Sequence, residues 1–147
     1  MIRVSVASPQ EKVTLNVPAL KEIVRVVLAG ESIKEAKISL AFVDNPTIHD
    51  INKRFLNHDE PTDVITFPLS DPKAKTLEGE LVIGAEVALE QATERGHSVE
   101  VELALYVIHG LLHLCGYDDR SAEDSQRMRE AERYHLSELG LPDIAEE

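Results

Sequence analysis

The feature that most constrains the fold is a mostly apolar helical run that begins at Ser98 and continues to Leu112. Ser98, with Glu102 nearby, is suited to cap the start of a helix. The apolar side chains cover most sides of this helix, so we expect it to be the central buried helix, with the other elements packed around it. They are Leu103, Leu105, Val107, Ile108, Leu111 and Leu112.

Two histidines lie in the same helix, near its carboxyl end. His109 and His113 are four residues apart, so their imidazoles project from one face and can reach a single point. Gly116 suits the end of the helix, because glycine accepts the left-handed conformation that turns the chain away. That turn could bring Asp118 or Asp119 back toward the two histidines. Three nitrogen and oxygen ligands with a fourth position open form the layout of a hydrolytic zinc site.

The alternative for His109 and His113 is a pair of core histidines that are satisfied by hydrogen bonds. A buried pair without a metal or a polar partner carries a desolvation cost, and the glycine turn and carboxylate that follow favour a metal site. The spacing also resembles the extended signature of zinc proteases. Those enzymes need a glutamate directly after the first histidine as general base, and this chain has Gly110 there, which argues against a peptidase of that mechanism.

The rest of the sequence alternates between strand and helix patterns. Alternating or β-rich runs predict four strands, at residues 2–6, 37–43, 64–67 and 80–83. Helical spacing, caps and stop signals predict helices from Pro18 to Gly30, from Asn45 to Phe55, from Gly84 to about Arg95, from Ser98 to Leu112 and from about Ala122 to Leu139. We expect a single α+β domain over residues 1–147. It should have a roughly four-stranded mixed sheet, about five helices and a metal site at the end of the buried central helix.

The composition is that of an ordinary globular domain, with 43% hydrophobic and 29% charged residues, and no apolar run approaches the length of a membrane span. The one cysteine, Cys115, excludes an internal disulfide and fits a reducing compartment. The first residues, 1–6, lack the apolar core of a signal peptide. We therefore expect a cytoplasmic protein that does not associate with membranes.

The net charge of −12 argues against DNA as a partner and against a broad basic surface for nucleic acid. Residues 1–77 carry ten basic and ten acidic side chains, whereas residues 78–147 carry five and seventeen and account for the whole net charge. The acids of the later helices, Glu132 among them, are most simply a solvated face. If the substrate is RNA, we expect a bound cation, a local group such as Arg54 and a partner protein or particle to help it bind.

A second polar cluster precedes the third predicted strand. It contains Asn52, Arg54, Thr62 and Asp63. The simpler interpretation is a helix end, a polar loop and a capped strand, with Arg54 in a surface salt bridge. The other interpretation makes Arg54 a donor to a phosphodiester, because a guanidinium binds phosphate through two hydrogen bonds and keeps its charge.

These residues resemble those of a known family. The stretch from His109 to Asp118 closely resembles the signature of the YbeY family of bacterial endoribonucleases that mature ribosomal RNA, and residues 52–67 resemble its second hallmark. Residues 79–83 resemble its following strand, and the similarity covers nearly the whole chain. The resemblance implies a metal-dependent hydrolase that acts on RNA, in 16S rRNA 3′-end maturation and ribosome quality control. Its implied partners are the small ribosomal subunit and ribosome-associated proteins.

The resemblance also assigns site residues. It implies one zinc ion per chain, with His109 and His113 as the first two ligands and Arg54 as the family's important arginine. The third ligand departs from the family, since this chain has Asp119 where a histidine is usual. Two histidines and a carboxylate form a known catalytic zinc set, although an anionic ligand acidifies bound water less and makes manganese, iron or nickel reasonable alternatives. Asp118 or His135 could instead supply the third ligand.

Several mechanistic alternatives stay open at the level of sequence. The attack on the phosphodiester could come from a water activated by the metal or from the RNA's own 2′-hydroxyl. Arg54 would stabilise charge on the phosphorus oxygens in either case. A different class of protein is a ribosome assembly factor whose metal is structural, and a further alternative is a metal hydrolase that acts on another small substrate.

Overall fold

The computed structural model describes residues 1–56 and 63–145. Within these residues four strands and five helices follow one another, which confirms the predicted α+β fold. The strands are β1 (Ile2–Ala7), β2 (Ala36–Val43), β3 (Val64–Pro68) and β4 (Leu77–Gly84). The helices are α1 (Val17–Gly30), α2 (Asn45–Leu56), α3 (Ala85–Arg95), α4 (Val99–Leu114) and α5 (Ala122–Glu138).

The four strands form one mixed sheet in the order β1-β2-β4-β3. Strands β1, β2 and β4 are parallel, so the chain must cross over between them, and α1 and α2 lie in these two crossovers. Strand β3 is antiparallel to β4, with Ile65 opposite Val82, and it forms one edge of the sheet. This topology places the edge strand β3 against α4.

The side chains on the two faces of the sheet contribute to two separate cores, because successive side chains of a strand point to opposite sides. On one face, Ile38 and Leu81 pack with apolar residues of α1, α4 and α5. On the other face, Ile65 and Val82 pack with Ile48 of α2. The sheet is therefore the middle of three layers.

Helix α4 is the central buried helix, as the sequence predicts, and it packs against α1, α3, α5, β3 and β4. The Ser98 hydroxyl accepts a hydrogen bond from the Val101 N–H (3.3 Å), which confirms the predicted cap. The helix ends at Leu114, slightly beyond the predicted Leu112, so both histidines lie in its last two turns. Even with α4 included, no helix within the described residues is long and apolar enough to cross a membrane.

Gly110 allows α4 to lie close to the sheet. A Cβ atom at this position would lie 2.8 Å from Leu81 Cδ2 and 3.2 Å from Val64 Cγ1, both shorter than an ordinary carbon–carbon contact. The position after the first histidine therefore faces β4 and β3. This packing gives a physical reason for glycine at the place where zinc proteases have their catalytic glutamate.

The expectation of a solvated acidic face is wrong at Glu132. This residue is only 1% exposed, because it lies on the face of α5 that also carries the buried Met128 and Leu136. Glu123 and Glu130, on the opposite side of the same helix, are exposed as expected. A charged residue thus occupies the buried stripe of α5, where it has a specific partner.

Candidate metal centre

The turn after α4 brings an acidic residue back to the two histidines. Gly116 adopts the left-handed conformation, with φ of +103°, and the Tyr117 N–H donates to the Leu112 carbonyl (3.0 Å). The chain therefore reverses directly after the helix. As a result, Asp119 Oδ2 lies 3.9 Å from His113 Nε2, which confirms the predicted return of a carboxylate.

The two imidazoles face each other through their Nε2 atoms, which are 3.1 Å apart. His109 Nδ1 donates to Glu132 Oε2 (2.6 Å), and His113 Nδ1 donates to the Tyr117 carbonyl (3.1 Å). An ionised carboxylate and a carbonyl can only accept hydrogen bonds, so each Nδ1 must carry a proton. In its neutral form each ring therefore has its lone pair on Nε2, and the two Nε2 atoms face the same space.

Two lone pairs in such an arrangement need a cation. A proton on one ring would satisfy the contact, and a metal ion would satisfy both rings at once. Two nitrogen ligands of a tetrahedral zinc ion lie about 3.3 Å apart, close to the 3.1 Å between the Nε2 atoms. A hydrogen bond from the second ring nitrogen is also the usual arrangement for a metal-binding histidine. The pair therefore fits a metal site better than a pair of core histidines.

Among the described residues, one group of side chains could hold a metal ion, with its ligand atoms all within 4.8 Å of one another. It consists of His109, His113 and Asp119. Neither of the alternative third ligands belongs to it. Asp118 Oδ2 pairs with Arg120 Nε (3.2 Å), and the fully buried His135 bonds through Nε2 to Glu31 Oε2 (2.8 Å) just after α1.

Glu132 is a functional residue that the sequence interpretation missed. Its carboxylate holds His109 on one side and accepts from Arg129 Nη1 on the other (3.0 Å to Oε1). The arginine compensates the charge that burial would otherwise penalise. The available signal was a glutamate at helical spacing between the apolar residues Met128 and Leu136 of α5.

The ligand atoms have access to solvent on one side. A cavity of about 350 Å³ is bounded by His109 and His113 and by Pro68 and residues 64–66 of β3. The two imidazoles are partly exposed, and Asp119 is exposed. Solvent or a substrate can therefore reach the space between the rings.

The surroundings of His113 favour its neutral form. Burial lowers the pKa of His113 below its ordinary value of 6.5, and the neighbouring His109 lowers it further as the second-largest effect. Asp119 and the Tyr117 carbonyl act on this pKa in the opposite direction but are smaller effects. A lowered pKa keeps the His113 ring in the neutral form, which is the form that binds metals.

Arg54 lies outside this group, on α2. Its side chain is 71% exposed, and its Nε contacts Asp50 Oδ2 (3.2 Å) one turn earlier in the helix. Of the other members of the polar cluster, Asn52 is buried, Asp63 directly precedes β3, and Thr62 lies outside the described residues. The predicted surface salt bridge is therefore present, and the role of Arg54 toward phosphate stays a prediction.

Comparison with known proteins identifies one family. The family model described as Endoribonuclease YbeY matches residues 5–140. The chain is 41% identical over 134 residues to Endoribonuclease YbeY of Carboxydothermus hydrogenoformans, covering 90% of this chain and 94% of that one. It is 43% identical over 115 residues to Endoribonuclease YbeY of Rhodopirellula baltica, covering 77% and 59%. The solution structure of TM1509 from Thermotoga maritima matches all of both chains, with a TM-score of 0.64 at 28% identity.

Proposed function

Because the chain belongs to the YbeY family, we propose that it is a zinc-dependent endoribonuclease that cleaves single-stranded RNA. The similar proteins of Carboxydothermus and Rhodopirellula carry the name endoribonuclease. The observation that supports the chemistry is the convergence of three ligand atoms beside an open cavity. These atoms belong to His109, His113 and Asp119.

The three residues would hold the ion and leave a coordination position open, which favours a catalytic role over a structural one. An ion bound there supplies an acidified water and a positive charge toward a phosphate oxygen. Glu132 and the Tyr117 carbonyl keep the two rings in the tautomer that binds metal. The negative charge of Asp119 lowers the positive charge of the site, which leaves manganese, iron and nickel as alternatives to zinc.

We propose that Arg54 binds a phosphate group of the RNA substrate. Its one ion pair in the described residues is the exposed contact with Asp50, and such pairs contribute only about 0–1 kcal/mol to stability. Breaking this ion pair therefore costs little free energy, and the guanidinium can bind a ligand instead. A phosphodiester offers it the same two-oxygen geometry as a carboxylate, and Arg54 would stabilise the charge that develops on the phosphorus oxygens.

The proposed substrate is the 3′ end of 16S ribosomal RNA, with a further role in ribosome quality control in the cytoplasm. Family membership supports this assignment, and the charge of the chain supports a need for partners. With a net charge of −12, the protein lacks the excess of basic side chains that would attract free RNA. Contacts with the small ribosomal subunit or a ribosome-associated protein would bring enzyme and substrate together.

The test is RNA cleavage by the purified, zinc-loaded protein. His109→Ala removes a ligand, and Arg54→Ala removes the phosphate donor, so each should lower cleavage by at least about 100-fold. Arg25→Ala is the matched control, because Arg25 is also exposed and pairs with Glu22 on its own helix (3.9 Å). Wild-type cleavage by Arg54→Ala would remove Arg54 from the mechanism, and wild-type cleavage by His109→Ala would reject the metal centre.

The ends of the RNA products identify the nucleophile. We propose that it is water, which leaves a linear phosphate. Attack by the 2′-hydroxyl of the RNA would instead leave a 2′,3′-cyclic phosphate. Detection of the cyclic product by mass spectrometry would reject water as the nucleophile while leaving the ligand assignment intact.

Asp119 is tested by elemental analysis beside the cleavage assay. Asp119→Ala leaves two ligands and should lower both the bound zinc and the cleavage rate, whereas Asp119→His supplies a third ligand and should retain zinc. Glu123→Ala is the control, because Glu123 is an exposed carboxylate near the start of α5 and lies outside the ligand group. Full zinc content and full activity in Asp119→Ala would show that another group completes the site.

A further inference from the structure

We propose that a groove beside the metal centre holds the RNA strand next to the scissile phosphate, with Lys34 and Lys75 contacting its phosphates. This inference rests on the proposed function, since it assigns the path of the substrate. The groove has a volume of about 660 Å³. It lies between residues 32–35, which join α1 to β2, and the segment 68–77, which joins β3 to β4.

The groove adjoins the cavity at the metal centre. Pro68 and His113 line both the groove and the cavity between β3 and the two histidines. Leu114, Cys115 and Gly116 extend the groove past the end of α4. In the proposed complex, an extended strand with one phosphate at the ligand atoms passes His113 and Pro68 and continues into the groove.

The groove offers cations that are not already paired. Within the described residues, no acidic side chain forms an ion pair with Lys34 or Lys75, and both are exposed. The acids of the lining, in contrast, have partners of their own. Glu35 Oε1 pairs with the amino group of residue 1 (3.1 Å), and Asp71 Oδ1 accepts a hydrogen bond from the backbone N–H two residues later (2.9 Å). The two ammonium groups are thus available to an anionic ligand.

Because the whole chain is acidic, RNA binding depends more strongly on these two lysines. Residues 78–147, which include α3, α4 and α5, carry an excess of twelve acidic side chains, whereas residues 1–77 are balanced. A polyanion gains no attraction from the acidic part of the chain and depends on cations close to its phosphates, since charges are screened beyond about 8 Å at physiological salt. Lys34 and Lys75 both come from the balanced part of the chain.

The remaining lining of the groove favours a single strand over a duplex. Apolar side chains lie along it, and unstacked bases can pack against such side chains. They are Ile33, Pro68, Pro72, Leu77 and Leu114. A duplex keeps its base faces stacked and would present only its backbone, so it could use the lysines but not the apolar walls.

The test measures binding of a 2′-O-methyl RNA strand to the zinc-loaded protein, by fluorescence anisotropy over a range of salt concentrations, and gel electrophoresis checks that the strand is intact after each measurement. Each phosphate contact in a single-stranded complex contributes about 0.7 to the slope of log affinity against log salt. The double variant Lys34→Gln with Lys75→Gln should bind more weakly, with a slope reduced by about 1.4. Lys73→Gln is the matched control, because Lys73 is an exposed lysine of the same loop that does not line the groove.

The result that would overturn the groove assignment is a double variant with the affinity and slope of Lys73→Gln, or a wild-type protein that does not bind the strand. Cleavage of a long RNA separates this outcome from the proposed function. The double variant should show a raised KM and an unchanged kcat. If the wild type cleaves RNA and the double variant equals the control, the groove fails and the function stands. If the wild type binds through the lysines but cleaves no RNA, the groove stands as an RNA site and the function fails.

Discussion

At the scale of single residues, the two histidines of the metal centre are held by different parts of the molecule. His109 is fixed by the buried Glu132 of α5, which is itself fixed by Arg129. His113 is fixed by the carbonyl of Tyr117, in the turn that follows its own helix. One ligand therefore depends on packing between α4 and α5, and the other depends on the local turn at the end of α4.

Glu132→Gln should weaken zinc binding by about 10- to 100-fold, because a neutral amide orients His109 less strongly than a carboxylate does. The measurement is the zinc Kd, from competition with a chromophoric chelator. Glu130→Gln is the control, since Glu130 is exposed on the same helix. A wild-type Kd in the Glu132 variant would mean that the geometry of α4 alone orients the ring.

At the scale of elements, local chemistry was enough to predict where helices and strands lie. Ser98 caps α4, and the Asp44 carboxylate accepts from the Thr47 N–H (2.9 Å) at the start of α2. The ligand group could be predicted for the same reason, because His109, His113 and Asp119 are all within one helix end and its turn. Such short-range patterns are set by backbone hydrogen bonding and residue spacing.

The arrangement between elements could not be predicted in this way. Strand β3 lies at the edge of the sheet and pairs in the antiparallel direction with β4. Nothing in the local sequence pattern of residues 64–68 indicates this position or this pairing. The contact between His109 and Glu132 joins residues on two helices and shows the same limit. The sequence pattern alone therefore predicts a solvated position for Glu132, whereas tertiary packing places it in the core.

The close contact between α4 and the sheet gives a prediction for Gly110. Gly110→Ala should lower the free energy of unfolding, although alanine is the better helix former by about 1 kcal/mol. The new Cβ would lie 2.8 Å from Leu81 Cδ2, and overpacking of this kind costs about 1–3 kcal/mol. Leu81→Val removes the Cδ atoms that the new Cβ would contact. The double variant should therefore be more stable than the sum of the two single effects predicts.

Urea denaturation of the wild type, both single variants and the double variant measures this coupling. Leu81→Val alone creates a small gap in the core and should be destabilising by itself. Purely additive effects would show that the added methyl group at Gly110 is accommodated by movement elsewhere and that Leu81 does not limit the approach of α4.

At the scale of the whole molecule, the metal centre lies where separate parts of the fold meet. It takes its ligands from α4 and the following turn, its orienting carboxylate from α5 and one wall of its cavity from the edge strand β3. No single element contains the complete site. Metal binding should therefore be linked to global folding, so that an ion which binds only the folded chain stabilises it.

Without metal, acid should destabilise the protein through His113. The unfolded chain binds a proton near the ordinary pKa of 6.5, whereas burial holds the folded pKa below that value. As the pH falls through 6.5 toward the folded pKa, the unfolded state takes up a proton that the folded state does not, so the free energy of unfolding decreases. His113→Gln removes this titration, and the metal-free variant should lose less stability than the metal-free wild type between neutral pH and about pH 5.5. Urea denaturation in the presence of a chelator measures both losses. Equal losses in the two proteins would show that groups other than His113 control the acid sensitivity.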